Sequence, residues 1–263
     1  DELDRGFTAL QLQQQLADLL DSVVCEPTLM ACLRRFRHRH MVRLIWRNRL
    51  RLCSSEELVT ELSALADCCI SQALDWLYEE MVKQWGQPLD SAGKVQQLVV
   101  LGLGKLGGCE LNLSSDVDLI FAFAEAGTTQ GGSRSLDHQG FFIRLGQRLI
   151  HVLNHTTADG FVFRVDMRLR PYGNSGALVL GFTALELYYQ KQGREWERYA
   201  LIKARVVAGD RRAGAVLLQL LQPFVYRRYL DYGAIEALRD LKQMINREVR
   251  RQNLVDHVKL GYG

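Results

Sequence analysis

Two phrases of the chain decide how it folds: Gln97-Leu-Val-Val-Leu-Gly-Leu-Gly-Lys-Leu-Gly-Gly108 and, a few residues on, Ser114-Ser-Asp-Val-Asp-Leu-Ile-Phe-Ala-Phe123. The runs over 97–102 and 116–123 are rich in Val, Leu, Ile and Phe, of strand length, and bounded by glycine or serine. Between them, Gly102-Leu-Gly-Lys-Leu-Gly-Gly108 supplies a turn in which the backbone reaches angles closed to other residues and can approach a ligand. A third strand is expected over 161–169, Phe-Val-Phe-Arg-Val-Asp-Met-Arg-Leu, which alternates apolar and polar residues in its second half.

The chemistry lies at the start of the second strand. Asp116 and Asp118 are two residues apart, so in a strand both carboxylates leave the same face. Two such groups on an otherwise apolar strand repel each other and lose solvation unless a cation joins them, and divalent metal with phosphate is a common solution. The plainer alternative is that one Asp caps a turn and the other faces water. Asp166 in the third strand offers another carboxylate, and Arg164, Arg168 and Arg170 share its segment. If that strand continues, Arg168 and Arg170 lie on the face of Asp166, either gripping phosphate or pairing with the acids. Gly104, Lys105, Gly107, Gly108, Ser114 and Ser115 are candidates for presenting N–H groups and hydroxyls to phosphate. The loop matches neither the GxGxxG dinucleotide fingerprint nor the GxxxxGK[ST] phosphate loop. The phrase 171–176, Pro-Tyr-Gly-Asn-Ser-Gly, reads as a mobile polar loop beside the same strand end.

Outward from this centre the chain is helical. Leucines recur at helical spacing in 10–20, and Ser54 before Glu56 and Glu57 opens a long helix that is expected to reach Trp85. Turn formers over 86–93 mark a boundary, 127–135 reads as an exposed loop, and helices are expected over 136–155, 182–192, 195–207, 211–221 and 234–251. The fold class is therefore α+β and predominantly helical: a small mixed sheet, confined to 96–180, between an amino-terminal helical region (1–95) and further helices (211–263), the middle segment 96–210 forming the core. Trp196 is expected in the core, and His151 and His155, one helical turn apart, read as ordinary helix residues. The first residue is Asp1, and the last phrase is Lys259-Leu-Gly-Tyr-Gly263, so a piece of a longer, truncated protein is expected.

Composition narrows the classes. The chain of 263 residues is 48% hydrophobic with only four prolines, which excludes low-complexity and disordered chains. No apolar run approaches the roughly 20 residues of a membrane helix, and the acidic opening Asp1-Glu-Leu-Asp4 does not resemble a signal peptide. Six cysteines without a CxxC pair point to reduced thiols and a cytoplasmic location. The net charge of +3 conceals one anomaly: residues 34–51 hold eight arginines and no acid, so the rest of the chain sums to −5. That window is either a basic face for an acidic partner or a helix whose arginines pair with neighbouring acids while Phe36, Met41, Leu44, Ile45 and Trp46 face the core.

Gly104-Lys-Leu-Gly-Gly-Cys-Glu-Leu-Asn-Leu-Ser-Ser-Asp-Val-Asp-Leu-Ile-Phe121 and Asp159-Gly-Phe-Val-Phe-Arg-Val-Asp-Met-Arg-Leu-Arg-Pro171 resemble the bifunctional glutamine synthetase adenylyltransferase/adenylyl-removing enzymes, of the DNA polymerase β-like nucleotidyltransferase superfamily. The similarity continues through Tyr188-Tyr-Gln-Lys-Gln-Gly-Arg-Glu-Trp-Glu-Arg-Tyr-Ala-Leu-Ile-Lys-Ala-Arg205. Fewer residues separate Gly108 from Asp116 than the superfamily usually places there. The wording of 110–116 and 193–199 is similar to the amino-terminal, adenylyl-removing half. The resemblance implies a multifunctional, ATP-binding transferase of nitrogen metabolism, with Asp116, Asp118 and Asp166 holding two Mg2+ (or Mn2+) ions. It also implies phosphorolysis of AMP from a tyrosine of adenylylated glutamine synthetase, with inorganic phosphate consumed, ADP released and a PII-type signal protein as regulator. Neither nucleic acid nor membrane is an expected partner. The alternatives are adenylyl transfer from ATP to glutamine synthetase and a catalytically silent regulatory domain.

Overall fold

The structure is a computed structural model and describes residues 3–226 and a few helical positions among 239–251. The helix expected over 234–251 lies largely outside the described residues. The chain opens with three helices, α1 (Ala9–Leu20), α2 (Glu26–Arg49) and α3 (Ser55–Trp85). The start of α3 is set by Ser54, whose hydroxyl accepts from Glu57 N while the Glu57 carboxylate accepts from Ser54 N. This reciprocal cap satisfies two donors that the first turn would otherwise leave open. After Gly86, with φ of +80°, β1 (Gln87–Pro88) pairs with β4 (Thr129–Gln130) in a small antiparallel ribbon. The loop expected over 127–135 is thus partly a strand, because buried Thr129 donates its hydroxyl to Trp85 O.

The main sheet consists of β2 (Val99–Gly102), β3 (Val117–Phe123), β5 (Val165–Asp166), β6 (Val179–Gly181) and β7 (Arg205–Gly209) in the order β5-β3-β2-β7, with β6 also beside β3. β2 runs antiparallel to β3 and β7, whereas β5 and β6 pair parallel with opposite ends of β3. A short helical turn, α4 (Gly104–Gly107), follows β2, and α5 (His138–Asn154) links β4 to β5. Helices α6 (Phe182–Lys191), α7 (Glu195–Ile202) and α8 (Arg211–Val225) complete the described elements.

Period-two alternation divides the sheet between two apolar clusters. Val100, Val117, Leu119, Phe121 and Phe123 join one core with α1, α2, α3 and α5, while Val99, Leu101, Ile120 and Ala122 join a second with α6, α7 and α8. Asp118 has the parity of Ile120 and Ala122, so its side chain leaves the sheet on the α6–α8 face.

Four sequence expectations change. The sheet extends beyond 180, because 205–209 is a strand: Arg205, Val206, Ala208 and Gly209 pair with β2 around a bulge at Val207, and tertiary pairing overrides the helical reading of 195–207. The third strand spans only Val165–Asp166, since Asp166 Oδ1 accepts from Arg168 N and turns the chain there. Trp196 is 37% exposed; the buried side chains of α7 are Glu197, which accepts from the Tyr188 hydroxyl, Arg198 and Leu201. On α2, Phe36, Met41 and Leu44 are buried as expected, but Ile45 and Trp46 are exposed. Their place inside is taken by Arg34, Arg43 and Arg47, each of which reaches a backbone carbonyl, the last two also the Glu61 carboxylate.

Candidate active site

Register sets two of the carboxylates side by side. Asp118 on β3 is the direct parallel partner of Asp166 on β5, and Asp116 stands two residues before Asp118. The loop that delivers Asp116 is pinned from α3 by a hydrogen bond from Leu111 N to Ser63 Oγ (3.1 Å). It is closed on itself by Ser115, whose hydroxyl donates to Asn112 Oδ1 (2.6 Å).

Each of two acids is held by an arginine. Arg164 Nε donates to Asp116 Oδ1 (2.5 Å) and its Nη2 to Ser114 O (2.7 Å), while the guanidinium lies over the Phe161 ring. Arg168 reaches both oxygens of Asp166, with Nε 3.1 Å from Oδ1 and 2.8 Å from Oδ2, and Nη2 2.5 Å from Oδ2. The hydrogen bond from the Arg168 side chain, ahead of the opposing cost of burial, holds the Asp166 carboxyl below the usual carboxylate range. The same pairing raises the Arg168 guanidinium, and Asp118 and Asp116 add to that effect through their charge.

Gly104 closes the third side. Its φ is +54°, and a Cβ there would lie 2.7 Å from Asp118 Oδ2, so backbone and carboxylate meet at a separation only glycine permits. Leu103 N donates to Asp118 O (2.9 Å), extending the β2–β3 ladder up to this turn. The structure therefore brings Asp116, Asp118, Asp166, Gly104 and Arg168 to one sheet end.

Other candidates stand apart. Lys105 is exposed on α4. Gly107 faces Lys203 O, which its Cβ would approach to 2.2 Å, and Gly108 abuts the Lys203 and Glu110 side chains. Ser114 gives its carbonyl to Arg164, and Ser115 serves the turn. Because the chain turns after Asp166, Arg170 donates to Met167 O (2.8 Å) and Asn174 O (3.4 Å), and it acts on the Asp166 carboxyl through its charge alone. It braces the 171–176 loop, which folds into a 3-10 turn, with Tyr172 packed edge-on against Tyr188 at 4.5 Å. The loop expected to be mobile is thus tied at Tyr172 and Asn174. His151 and His155 stack on one another at 4.6 Å.

Sequence reading did not single out Arg164 as a site residue, although its position two before Asp166 gives it the same parity. It also missed the pairs that fix the glycine turn. Lys203 Nζ contacts Glu110 Oε2 (2.5 Å), and Arg205 reaches Asp67 (2.6 Å) and Leu106 O (2.9 Å). These partners are 93 to 138 residues apart, and no local pattern reports them.

As the side chains stand, no three His, Cys, Asp or Glu groups among the described residues form a metal cage. The three acids still suit a hard divalent cation. They are oxygen donors, Asp118 and Asp166 are paired in register with Asp116 two residues before Asp118, two of the three already draw a cationic guanidinium, and Gly104 leaves room beside Asp118 where a Cβ would intrude. Among the described residues, no helix is long and apolar enough to cross a membrane.

Comparison with known proteins places the chain. A family model described as Glutamate-ammonia ligase adenylyltransferase matches residues 1–220. The bifunctional glutamine synthetase adenylyltransferase/adenylyl-removing enzyme of Pseudomonas syringae pv. tomato is 59% identical over 263 residues, which is 100% of this chain and 27% of the relative. Proteins with the same name from Hahella chejuensis (59% over 248 residues, 94% of this chain and 26% of the relative) and Shewanella oneidensis (55% over 262 residues, 100% and 27%) are also similar. The chain spans about a quarter of the length of these relatives. On the match to the family model and these identities, the chain belongs to the glutamate-ammonia ligase adenylyltransferase family.

Proposed function

We propose that this chain carries an adenylyl-removing centre: a metal-dependent nucleotidyltransferase site that cleaves AMP from a tyrosine of adenylylated glutamine synthetase by phosphorolysis. The observation that carries the reading is the parallel register of Asp118 and Asp166 beside Asp116, with Arg168 at the same sheet end. The relatives' names include both addition and removal of the adenylyl group. The phrases at 110–116 and 193–199, similar to the removing half, favour removal.

In the reaction, an oxygen of inorganic phosphate bonds to the α-phosphorus of the AMP–tyrosine diester. The bond from that phosphorus to the tyrosine oxygen breaks, its electron pair leaves on the phenolate, and ADP is the other product. The phenol has an ordinary pKa near 10, so the leaving group needs less help than an alkoxide. Asp116, Asp118 and Asp166 would hold two Mg2+ (or Mn2+) ions. When bound, such ions neutralise the diester oxygens and the departing phenolate. The chain's own part is to place the carboxylates and to bring positive charge to the incoming phosphate. Arg168 has that charge at hand, exposed and beside all three acids. Gly104 lets the turn after β2 lie against Asp118, which keeps the carboxylate aimed at the reacting centre. A PII-type signal protein enters this reading as a regulator only through the family.

The test is ADP formation from adenylylated glutamine synthetase, with and without phosphate and Mg2+. A parallel reaction with unmodified glutamine synthetase and ATP assays the opposite direction. Phosphate-dependent ADP release supports the reading, and AMP incorporation without ADP release overturns it.

A further inference from the structure

The proposed chemistry does not use the outward face of α2, yet that face is organised. Its buried side is filled by Arg34, Arg43, Arg47 and apolar residues. On the other side, Arg35, Arg39, Val42, Trp46 and Arg49 follow one another at spacings of four, three, four and three, and all five are exposed. That is the 3.5-residue repeat by which a helix keeps one seam against another helix. Val42 and Trp46 are each 54% exposed, and Leu50 beside them is 53% exposed. At the amino-terminal end of the seam, a groove between α1 and α2 encloses about 400 Å³, with Leu19, Val23, Cys32 and Phe36 in its lining and Arg35 and Arg39 on its rim.

The charge is as one-sided as the packing. No acid lies among residues 34–51, and none lines the groove. A bilayer contact calls for an apolar face with cations along its edges, whereas here Arg35 and Arg49 stand in the same row as Val42 and Trp46. Nucleic acid would be met mainly by phosphate contacts and would leave Val42, Trp46 and Leu50 without a use. A helix with its own apolar seam and flanking carboxylates complements both features.

We propose that the outward face of α2 is a docking seam for an acidic amphipathic helix of a partner protein. Its apolar side chains pack on Val42 and Trp46 and enter the α1–α2 groove, and its carboxylates meet Arg35 and Arg49. This is independent of the adenylyl-removing reading, since it uses none of the site residues.

The experiment titrates the intact chain into a fluorescein-labelled helical peptide with Leu along its seam and Glu on the flanks. Fluorescence anisotropy reports binding, and circular dichroism checks that each variant is folded. The expected result is saturable binding that weakens at high salt and falls about tenfold or more in Trp46→Ala and in the double variant Arg35→Glu/Arg49→Glu. A peptide with Lys replacing Glu should bind that double variant better than the unaltered chain. Absence of binding, or equal binding of the Glu and Lys peptides, overturns the proposal. So does Trp46-dependent binding to phosphatidylserine vesicles in place of the peptide, or Trp46-dependent dimerisation in sedimentation equilibrium without peptide.

Discussion

Two regions of this molecule use the same pairing, arginine with carboxylate, to opposite ends. In the helical layer, Glu61 is enclosed with Arg43 and Arg47, with 7%, 4% and 4% of their side chains exposed. Phe7 N donates to the same carboxylate (3.1 Å), and Arg43 lies over the Phe7 ring at 4.5 Å. At the sheet end, Arg164–Asp116 and Arg168–Asp166 are closer to water, and Arg168 is 74% exposed. Burial makes the first cluster a structural joint, because neither partner can be removed without stranding a charge. Exposure leaves the second exchangeable, because water can solvate a released guanidinium and the carboxylate can take another cation.

The contrast is tested first where the expected effect is largest. Asp116→Asn with Asp118→Asn should lower phosphate-dependent ADP release by about a thousandfold or more while the melting temperature hardly moves. A folded double variant that still turns over would break the assignment of the sheet end to catalysis. Glu61→Ala should have the reverse profile, with a stability loss of about 3–5 kcal/mol in urea unfolding, because Arg43 and Arg47 stay buried without their carboxylate. A loss below about 1 kcal/mol would show that the helical cluster is no more a joint than the exposed pairs.

Gly104→Ala lies between the two. A side chain at φ +54° and 2.7 Å from Asp118 Oδ2 should cost about 1–3 kcal/mol in stability and lower turnover as well, since the carboxylate must shift to admit the methyl group. Unchanged turnover would separate the glycine turn from the site.

Arg168→Ala should cost little stability, below about 1 kcal/mol, as expected for an exposed pair. In metal-free buffer its signature is a pH dependence. Arg168 depresses the Asp166 carboxyl in the folded protein, so the pair's contribution is present above the unfolded carboxyl's pKa and is lost as pH falls through the folded one. Removing Arg168 should move the Asp166 titration, followed by NMR, upward and flatten that acid limb. An unmoved titration would mean that another group holds Asp166.

Much of the sheet half was legible in the chain because its signals are local. Strand alternation around Asp116 and Asp118, the Ser54–Glu57 cap and the glycine turn each depend on residues a few positions apart. The errors lie where distant partners intervene. Residues 205–209 look helical in isolation, but β2 offers an open edge and takes them as a strand. In sequence the strand through Asp166 reads as continuing, but the Asp166 carboxylate accepts from Arg168 N and bends the chain, which brings Arg170 to the 171–176 loop. Ile45 and Trp46 were displaced from the core by arginines, which no hydropathy pattern anticipates, because only a buried Glu61 and free carbonyls make that burial tolerable.

By itself, then, the sequence determined the fold class, the presence of three acids and their family, since residue type and short spacing encode all three. Only the tertiary structure decided that Asp118 and Asp166 share a register, that Arg164 and Arg168 sit on the acids, and that α2 turns apolar side chains outward. The physical reason is the same in each case. Parallel pairing and ion pairing join residues tens of positions apart, and their stability depends on burial that only the packed chain creates.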